Sequence, residues 1–301
     1  MSNEQTSEKF LSIIICSRNR GMELKDCLPL VAKQAALFSD TEVVVVDNGS
    51  TDNTKQVVEE TAAGSSYQFR YIFEPVPGLC QARNRGRLEA KGKVLAYIDD
   101  DVRLGTDWIL KIKEHFSQAK TDCLAGKVTV HLDDKVPLRI DESMYWFFGA
   151  TGFGDKPRML AYPEHPIGCN MVFTVKAFDA VGGFDTNLKL YGDETELFRR
   201  ITAKGFEMFY NPDFTVHQSI PANRLTKKEL GYKSFIWGKG SATAWMLSGI
   251  SGFQRIGKII EFFGRTCYMG IMHRFRDDFG SFYTYWYNRG YLAKLVKGLD
   301  K

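Results

Sequence analysis

The chain has 301 residues, 44% of them hydrophobic and 25% charged, values typical of a folded globular protein that exclude a disordered one. Six cysteines without a short repeated spacing exclude a zinc cluster or a disulfide framework and favour reduced thiols in a cytoplasmic protein. The net charge of +4 is uneven, because residues 224–301 hold 14 lysines and arginines against 5 acidic residues, whereas residues 1–223 hold 26 against 31. This contrast predicts two regions with different tasks.

Four short apolar runs alternate with helix-like segments in the first hundred residues. Continuous β-branched runs of this length are typical of strands buried on both faces, and their alternation with helices predicts a doubly wound, mainly parallel α/β sheet with helices on both faces. Ser50, Thr51 and Asp52 are suited to cap the second helix. The predicted strands are Leu11–Cys16, Glu42–Val46, Phe69–Phe73 and Val94–Ile98, and the helices are Met22–Leu37, Asp52–Ala63 and Leu79–Glu89.

Polar residues stand directly after three of these strands, where a parallel sheet binds its ligands. They are Ser17–Arg20 after the first strand, Asp47–Thr51 after the second and Asp99–Asp101 after the fourth. No Gly-x-Gly-x-x-Gly motif follows a strand, and no glycine-rich loop ends in Gly-Lys-Ser/Thr. The sequence therefore argues against a nicotinamide enzyme and against a P-loop ATPase.

The three consecutive aspartates are the most informative feature. Alternate residues of an extended segment point the same way, so Asp99 and Asp101 are expected to face one pocket. Neighbouring carboxylates repel one another unless a cation lies between them, and hard oxygen ligands suit Mg²⁺ or Mn²⁺. The alternative is a polar turn that caps the next helix, which is expected to begin near Thr106 and Asp107.

Five motifs in order carry a resemblance to a known family. Over roughly Leu11 to His217, the set closely resembles the family 2 glycosyltransferases of GT-A fold. The resemblance implies a metal-dependent, inverting hexosyltransferase with a nucleotide diphosphate sugar, UDP-linked, as its donor. The motifs are Val46-Asp47-Asn48-Gly49-Ser50-Thr51-Asp52, Gly78 with Ala82-Arg83-Asn84-Arg85-Gly86, Tyr97-Ile98-Asp99-Asp100-Asp101, Gly182-Gly183-Phe184-Asp185 and Gly192-Asp193-Glu194-Thr195-Glu196-Leu197.

The resemblance also implies roles for single residues around the donor. Asp101 would ligate the divalent metal that bridges the diphosphate, with Asp99 as a second ligand close to the ribose and base. His217 would approach the same metal, although a lone histidine is more often structural. The other residues implied in donor binding are Ser17, Arg18, Asp47, Asp100 and Arg83. For Arg83 the alternative is that it belongs only to a solvent-exposed helix face and has no role in binding.

Asp193 and Glu194 are the candidates for the general base. An inverting transferase needs a carboxylate that takes the proton of the acceptor hydroxyl. The family pattern usually reads Glu-Asp here with the second residue as base, whereas this chain reads Asp-Glu. The place in the motif therefore favours Glu194 as the base, while Asp193, also a carboxylate, stays possible. The alternative is that both acids only begin a helix running to Lys204, where acidic residues favour the helix dipole.

Two further segments have both a functional and a structural interpretation. Gly168–Asn170 precedes an apolar strand, and the resemblance places such a segment near the donor sugar or the acceptor. An asparagine in an ordinary turn is the alternative. The glycine- and aromatic-rich segment Phe147–Gly154 is either a mobile loop on the acceptor side or ordinary packing.

The basic C-terminal region contains an amphipathic helical pattern. Its apolar residues recur at three- and four-residue steps, with Arg255, Lys258 and Arg265 elsewhere around the helix. This pattern suits peripheral contact with an anionic membrane, while packing on the catalytic domain or a contact between copies is the alternative. Nucleic acid is not expected as a partner, because no recognised binding motif is present. The apolar residues are Ile256, Ile259, Ile260, Phe263, Cys267 and Ile271.

The sequence thus predicts a GT-A-like catalytic domain over residues 1–223 and a helical, basic extension over residues 224–301. The acceptor is expected to be a hydroxyl group of a saccharide or of a lipid-linked glycan. Residues 1–10 are polar and are not expected to be a secretory signal, and no run is long enough to span a membrane, so a cytoplasmic or inner-face peripheral location is expected. The alternatives for the function are a nucleotidyltransferase that makes sugar nucleotides and a non-catalytic saccharide-binding protein. The oligomeric state is not predicted, and a homo-oligomer is one possibility.

Overall fold

A computed structural model of the chain describes residues 9–118, 121–133, 139–188, 192–276 and 278–298. The described residues form two compact units. The first lies within Met1–Thr129, Thr151–Phe184 and Leu197–Gln218, and the second within Val130–Ala150, Asp185–Glu196 and Ser219–Lys301. The unit that contains the C-terminal extension therefore also takes in two earlier segments, and the predicted domain boundary at residue 223 stays a prediction.

The described strands form one mixed sheet of nine strands, in the order β3-β2-β1-β4-β8-β6-β9-β5, with β7 paired to β9. The strands are β1 Leu11–Ser17, β2 Thr41–Asp47, β3 Arg70–Phe73, β4 Val94–Ile98, β5 Val102–Leu104, β6 Cys123–Leu132, β7 Arg158–Leu160, β8 Met171–Thr174 and β9 Met208–Ile220. The predicted α/β fold class is confirmed.

The parallel part of the sheet is the part that the sequence predicted. Strand β1 pairs in parallel with β2 and with β4, and β2 pairs in parallel with β3. Beyond β4 the sheet continues through antiparallel pairs, β4 with β8 and β8 with β6, and β9 pairs antiparallel with β5 and β7. The sheet is therefore mixed rather than mainly parallel.

The predicted helices form with small shifts at their ends. Helix α2 begins one residue after Asn53, and Asp52 accepts hydrogen bonds from the backbone nitrogen (3.0 Å) and the hydroxyl (2.5 Å) of Thr54. The predicted capping residues thus lie just before the helix rather than at its N-cap. The helices are α1 Gly21–Ala35, α2 Thr54–Ala63, α3 Leu79–Glu89, α4 Trp108–Gln118, α5 Val175–Ala180, α6 Asp193–Ala203, α7 Lys227–Leu247, α8 Gly252–Phe275 and α9 Phe279–Lys297.

The core of the first unit lies around the central strands. All seven residues of β2 are buried, and Ile13, Ile14 and Ile15 of β1 have no solvent exposure. Helix α3 lies close against this surface at Gly86, where an added Cβ would stand 2.4 Å from Ile14 Cγ2. A side chain at residue 86 would push α3 away from the sheet, so glycine fixes the position of the helix that carries Arg83.

Two hydrophobic clusters lie among the described residues of the second unit. Phe147 and Phe148, from the 3₁₀ segment Glu142–Phe148, lie in one cluster with Leu225, Leu230 and Phe279. Both phenylalanines are buried, so the structure supports ordinary packing rather than a mobile loop for this pair. The other cluster contains Ala242, Met246, Phe262, Tyr291 and Leu295.

Two general expectations concern cysteines and membrane spans. All six cysteines are free thiols, and Cys27, Cys80, Cys123 and Cys169 are buried, whereas Cys267 is exposed. Within the described ranges, no helix combines the length and the apolar character needed to cross a membrane.

Candidate active site

Three neighbouring strands bring their polar ends to one edge of the sheet. In the register of β1 and β2, Ser17 lies opposite Asp47, and in the register of β1 and β4, Ile15 lies opposite Ile98. Two residues further along, Ser17 reaches Asp100. The carboxyl ends of parallel strands thus place residues far apart in sequence side by side, as predicted for the ligand-binding edge of such a sheet.

Asp100 is the buried member of the aspartate run. Its Oδ2 accepts a hydrogen bond from Ser17 Oγ at 2.7 Å, and its Oδ1 lies 3.2 Å from Arg20 Nε. Burial raises the pKa of the Asp100 carboxyl to about 7, while Arg20 and Ser17 act in the opposite direction. Because Asp100 is only 2% exposed, its carboxylate is directed into the protein and holds the strand ends together.

Asp101 stands between Arg20 and Gln218. Arg20 Nη2 donates to Asp101 Oδ2 at 2.6 Å, and Gln218 Nε2 donates to Asp101 Oδ1 at 3.3 Å. Burial lowers the pKa of Arg20, but the charges of Asp100 and Asp101 outweigh it and raise that pKa above its usual range. Arg20 therefore carries a permanent positive charge against this pair of aspartates.

Asp99 is the most accessible of the three aspartates. Its side chain is 41% exposed, and its Oδ1 lies 3.9 Å from Nη2 of Arg83. Arg83 extends from α3, is 3% exposed, and its guanidinium stands 5.2 Å from the ring centre of Phe184. A buried arginine beside a partly exposed carboxylate is the arrangement expected of a site for a charged ligand.

Asp47 and Arg18, both implied in donor binding, have different surroundings. Asp47 is 2% exposed, and its two carboxylate oxygens accept hydrogen bonds from the backbone nitrogen of Ser50 at 2.8 Å and from the hydroxyl of Tyr71 at 2.7 Å. Arg18 is exposed. Asp47 therefore fixes the loop after β2, whereas Arg18, which follows β1, is open to solvent.

His217 and its neighbour Gln218 have different partners. Successive side chains of a strand point to opposite faces, and Gln218 points to the side where Asp101 lies. His217 points the other way, where its Nδ1 lies 2.7 Å from Thr129 Oγ1. The metal contact of His217 stays a prediction, and Gln218 is the residue of β9 that lies beside Asp101.

Whether these residues suit a divalent cation can be judged from their chemistry. Among the described residues, no group of three or more histidine, cysteine or acidic side chains is arranged to hold a metal ion. Asp99 and Asp101 nevertheless supply two hard carboxylates directly after β4. Mg²⁺ and similar ions are commonly held by one or two carboxylates together with substrate phosphates and water. The pair fits a cation shared with a bound diphosphate.

Two asparagines of predicted motifs have structural partners. Asn84 donates to the carbonyl of Phe184 at 2.8 Å and accepts from its backbone nitrogen at 2.9 Å, so it holds the Gly-Gly-Phe-Asp segment. Asn170 is fully buried, accepts from Trp108 Nε1 at 3.0 Å and donates to the carbonyls of Lys127 and Phe214. The structural alternative for Asn170 is therefore the better interpretation.

The acid pair begins helix α6 and lies in the second unit, whereas the helix continues into the first. Gly192 precedes it with φ of +86°, and both Asp193 and Glu194 lie in the first turn, as predicted. Asp193 is 3% exposed, whereas Glu194 is partly exposed. Of the two carboxylates, Glu194 is thus the one within easier reach of a solvent-borne substrate, and its role as base stays a prediction.

Solved glycosyltransferases share this fold. The mannosyltransferase PcManGT from Pyrobaculum calidifontis, determined with GDP-Man and Mn²⁺, matches 95% of this chain and 70% of its own at a TM-score of 0.60 and 16% identity. TarS 1–349 of S. aureus, determined with UDP-GlcNAc, matches 77% of this chain and 71% of its own at a TM-score of 0.53 and 17% identity. These likenesses show a GT-A glycosyltransferase fold.

The sequence assigns the chain to a family within that class. It belongs to glycosyl transferase family 2, whose sequence profile matches residues 12–182, and the profile described as the N-terminal domain of galactosyltransferase matches residues 156–221. Glycosyltransferase AglE of Haloferax volcanii is 28% identical over 250 residues, covering 80% of this chain and 76% of AglE. The glucosyl-dolichyl phosphate glucuronosyltransferase of the same organism is 25% identical, covering 75% and 74%. The predicted family is confirmed, and the chain is a glycosyltransferase of glycan biosynthesis.

Proposed function

We propose that this protein transfers a sugar, with inversion, from a nucleotide diphosphate donor to a hydroxyl group of a saccharide or lipid-linked acceptor. The observation that carries the proposal is the cluster after β4, where Asp99 and Asp101 stand beside the guanidinium groups of Arg83 and Arg20. Carboxylates and guanidinium groups at one strand end match the two components of a metal–diphosphate, a cation and an anion.

The leaving group sets the demands on this cluster. As the sugar departs, negative charge builds on the diphosphate, and fixed positive charges stabilise it. A bound Mg²⁺ or Mn²⁺ supplies such a charge, with Asp101 and Asp99 as its protein ligands. Arg20 and Arg83 supply two more from the protein itself, and the contacts of Arg20 with Asp100 and Asp101 hold its guanidinium in place before the donor arrives.

The acceptor side requires a base. Glu194 takes the proton from the attacking hydroxyl in this proposal, with Asp193 as the alternative. Deprotonation strengthens the nucleophile as the bond to the sugar forms, an effect that is typically worth roughly 10²–10⁴-fold in rate. The partial exposure of Glu194, compared with buried Asp193, supports this assignment.

The donor and acceptor classes take support from the proteins that this chain resembles. One solved neighbour was determined with GDP-Man and Mn²⁺ and another with UDP-GlcNAc, and we favour UDP as the nucleotide for this chain. One curated relative acts, by its name, on glucosyl-dolichyl phosphate, which supports a lipid-linked acceptor. A lipid-linked acceptor would in turn require contact with a membrane surface.

A thermal-shift panel tests the proposal. The full chain is heated with UDP-, GDP- and dTDP-linked sugars, each with and without Mn²⁺ or Mg²⁺. A ligand that binds only the folded protein raises the free energy of unfolding by mass action, by about 2.7 kcal/mol at a hundred times its dissociation constant, and the melting temperature rises with it. We expect a metal-dependent shift with UDP-sugars. The proposal fails if no nucleotide sugar shifts the melting temperature under any of these conditions.

A further inference from the structure

Helix α8 exposes its apolar side to solvent instead of burying it. Its 24 residues carry large apolar side chains at three-, four- and eight-residue steps, which places them along one side of the helix. We call this side the outer face of α8, and more than half of each of its side chains is exposed. Its residues are Phe253 (89% exposed), Ile256 (56%), Ile260 (69%), Phe263 (61%), Ile271 (61%) and Phe275 (83%).

The opposite side of the helix is fixed to α9. Arg255 Nε donates to the carbonyl of Leu295 at 2.7 Å, near the C-terminal end of α9. Further along, Phe262 stacks on Tyr291 with ring centres 3.9 Å apart, and the His273 ring lies 4.4 Å from that of Tyr285. These contacts run along the length of α8, so its exposed apolar side is a stable feature of this unit. Ile259, predicted as part of the apolar stripe, lies on this inner side.

Six exposed large apolar side chains along one side of a helix are unusual on a protein surface and indicate a binding surface. Its charge indicates what it binds. Residues 252–276 contain five arginines and lysines and a single acidic residue, Glu261. Glu261 bonds Lys258 and Arg265 at 2.8 Å each, and Arg274 and Arg276 are exposed at the C-terminal end of the helix. The face therefore calls for a partner that is apolar inside and anionic at its surface.

A second copy of the chain meets only the first of these two requirements. Two copies that joined their outer faces would bring basic helices together, with one glutamate in each to offset five cations. An anionic lipid surface meets both, because its acyl region accepts the phenylalanine and isoleucine side chains while its headgroups pair with the arginines.

We propose that the outer face of α8 binds an anionic membrane, with the helix lying parallel to the surface. At 1.5 Å per residue the helix is about 36 Å long, so its apolar side chains enter the interface along most of that length. Binding then has two components. The electrostatic one weakens with salt, since the Debye length is about 8 Å at physiological ionic strength, and the apolar one persists.

The test is co-sedimentation of the full chain, without any donor, with vesicles of phosphatidylcholine alone or mixed in equal parts with phosphatidylserine. We expect binding to the mixed vesicles that weakens, without vanishing, at high salt. The double variant I260E/F263E should weaken binding by about tenfold or more. Leu37 and Leu88 are similarly exposed, at 76% and 79%, outside α8, so L37E/L88E makes the same change in charge and should bind as the unmodified protein does.

A second pair of variants tests the charges. R274Q/R276Q should weaken binding at low salt, whereas K55Q/K204Q, which removes two exposed lysines of the first unit, should leave it nearly unchanged. The proposal is overturned if the unmodified chain ignores the mixed vesicles at low salt, or if L37E/L88E weakens binding as much as I260E/F263E does. It is also overturned if sedimentation velocity shows a dimer that I260E/F263E dissociates, because a second copy then covers the face. Since no donor is present, these results are independent of the proposed transfer reaction.

Discussion

At the scale of single residues, the aspartate run after β4 places three identical side chains in three environments. Asp100 is buried and bonded to Ser17, Asp101 is 10% exposed between Arg20 and Gln218, and Asp99 is 41% exposed. Asp100 and Asp101 form a turn between β4 and β5, and within this turn Asp100 is directed into the protein. The Asp100 carboxylate thus anchors the strand end, and Asp99 and Asp101 are the two carboxylates that we propose as metal ligands.

The role of Asp101 leads to the first prediction. Asp101→Asn keeps the shape of the side chain and an oxygen acceptor but removes the negative charge that would bind a cation. We expect Mn²⁺-dependent affinity for a UDP-sugar to fall at least about tenfold, or 1.4 kcal/mol. Isothermal titration with and without Mn²⁺ measures this. Asp213→Asn, at an exposed position in β9, is the control, and equal affinities for the two variants would contradict the metal assignment.

The acid pair of α6 provides the second prediction. Glu194→Gln should leave donor affinity unchanged and lower kcat by roughly 10²–10⁴-fold, because a base acts only when the acceptor is deprotonated in the transition state. The measurement is steady-state turnover with the best donor from the thermal-shift panel, beside a titration of that donor. Asp193→Asn is the matched variant. If it loses turnover and Glu194→Gln keeps it, the base is Asp193.

Arg20 shows what the sequence could not supply at this scale. The expectation that a parallel sheet binds ligands just after its strands predicted Ser17, Asp47, Asp99 and Asp101, because it requires only the position at which each apolar run ends. It gave no reason to prefer Arg20 over Arg18, since Asp101, which bonds Arg20, lies 81 residues further along the chain. A pairing of that kind depends on the register of β1 against β4, which appears only in the folded chain.

At the scale of elements, the sheet shows why some strands are easier to predict than others. The first four strands were predicted because β1, β2 and β4 are buried runs of five to seven residues. Strands β5 and β7 have three residues each, too few for any periodic pattern. Strand β9 has 13 residues that alternate in burial, but it contains Pro212. Because proline cannot donate a backbone hydrogen bond to a neighbouring strand, its presence in a sequence argues against predicting a strand there.

The contact between α3 and β1 gives the third prediction. In Gly86→Ala the new methyl group would stand 2.4 Å from the buried Ile14 Cγ2, so helix or strand must shift. We expect the free energy of unfolding to fall by about 1–3 kcal/mol, as for other overpacked cores, measured by urea denaturation. Gly257→Ala in α8 meets no atom within 4 Å and should instead stabilise the protein, by about 0.5–1 kcal/mol. A neutral or stabilising Gly86→Ala would show that α3 is free to move.

At the scale of the whole molecule, the sequence and the structure divide the chain differently. Composition changes at residue 224, and the predicted domain boundary follows that change. The compact unit that holds the C-terminal helices also takes in residues 130–150 and 185–196, which carry the 3₁₀ segment with Phe147 and the acid pair Asp193 and Glu194. The balance of basic and acidic residues shows where the composition of the chain changes. The extent of a compact unit depends instead on which side chains pack together, and composition does not reveal those contacts.

The fourth prediction follows from this division. A chain that ends at Asn223 keeps Phe147 and Phe148 but loses Leu225, Leu230 and Phe279, the residues that cover them. Burial of one such phenylalanine is worth about 1.5–3 kcal/mol, so exposing both removes a large share of the 5–15 kcal/mol that typically holds a domain together. We expect the truncated chain to aggregate or to melt at a much lower temperature than the full chain. A chain that ends at Lys297 keeps these contacts and should melt like the full protein. If the chain ending at Asn223 is instead monomeric and melts cooperatively at the temperature of the full chain, residues 1–223 form an independent domain.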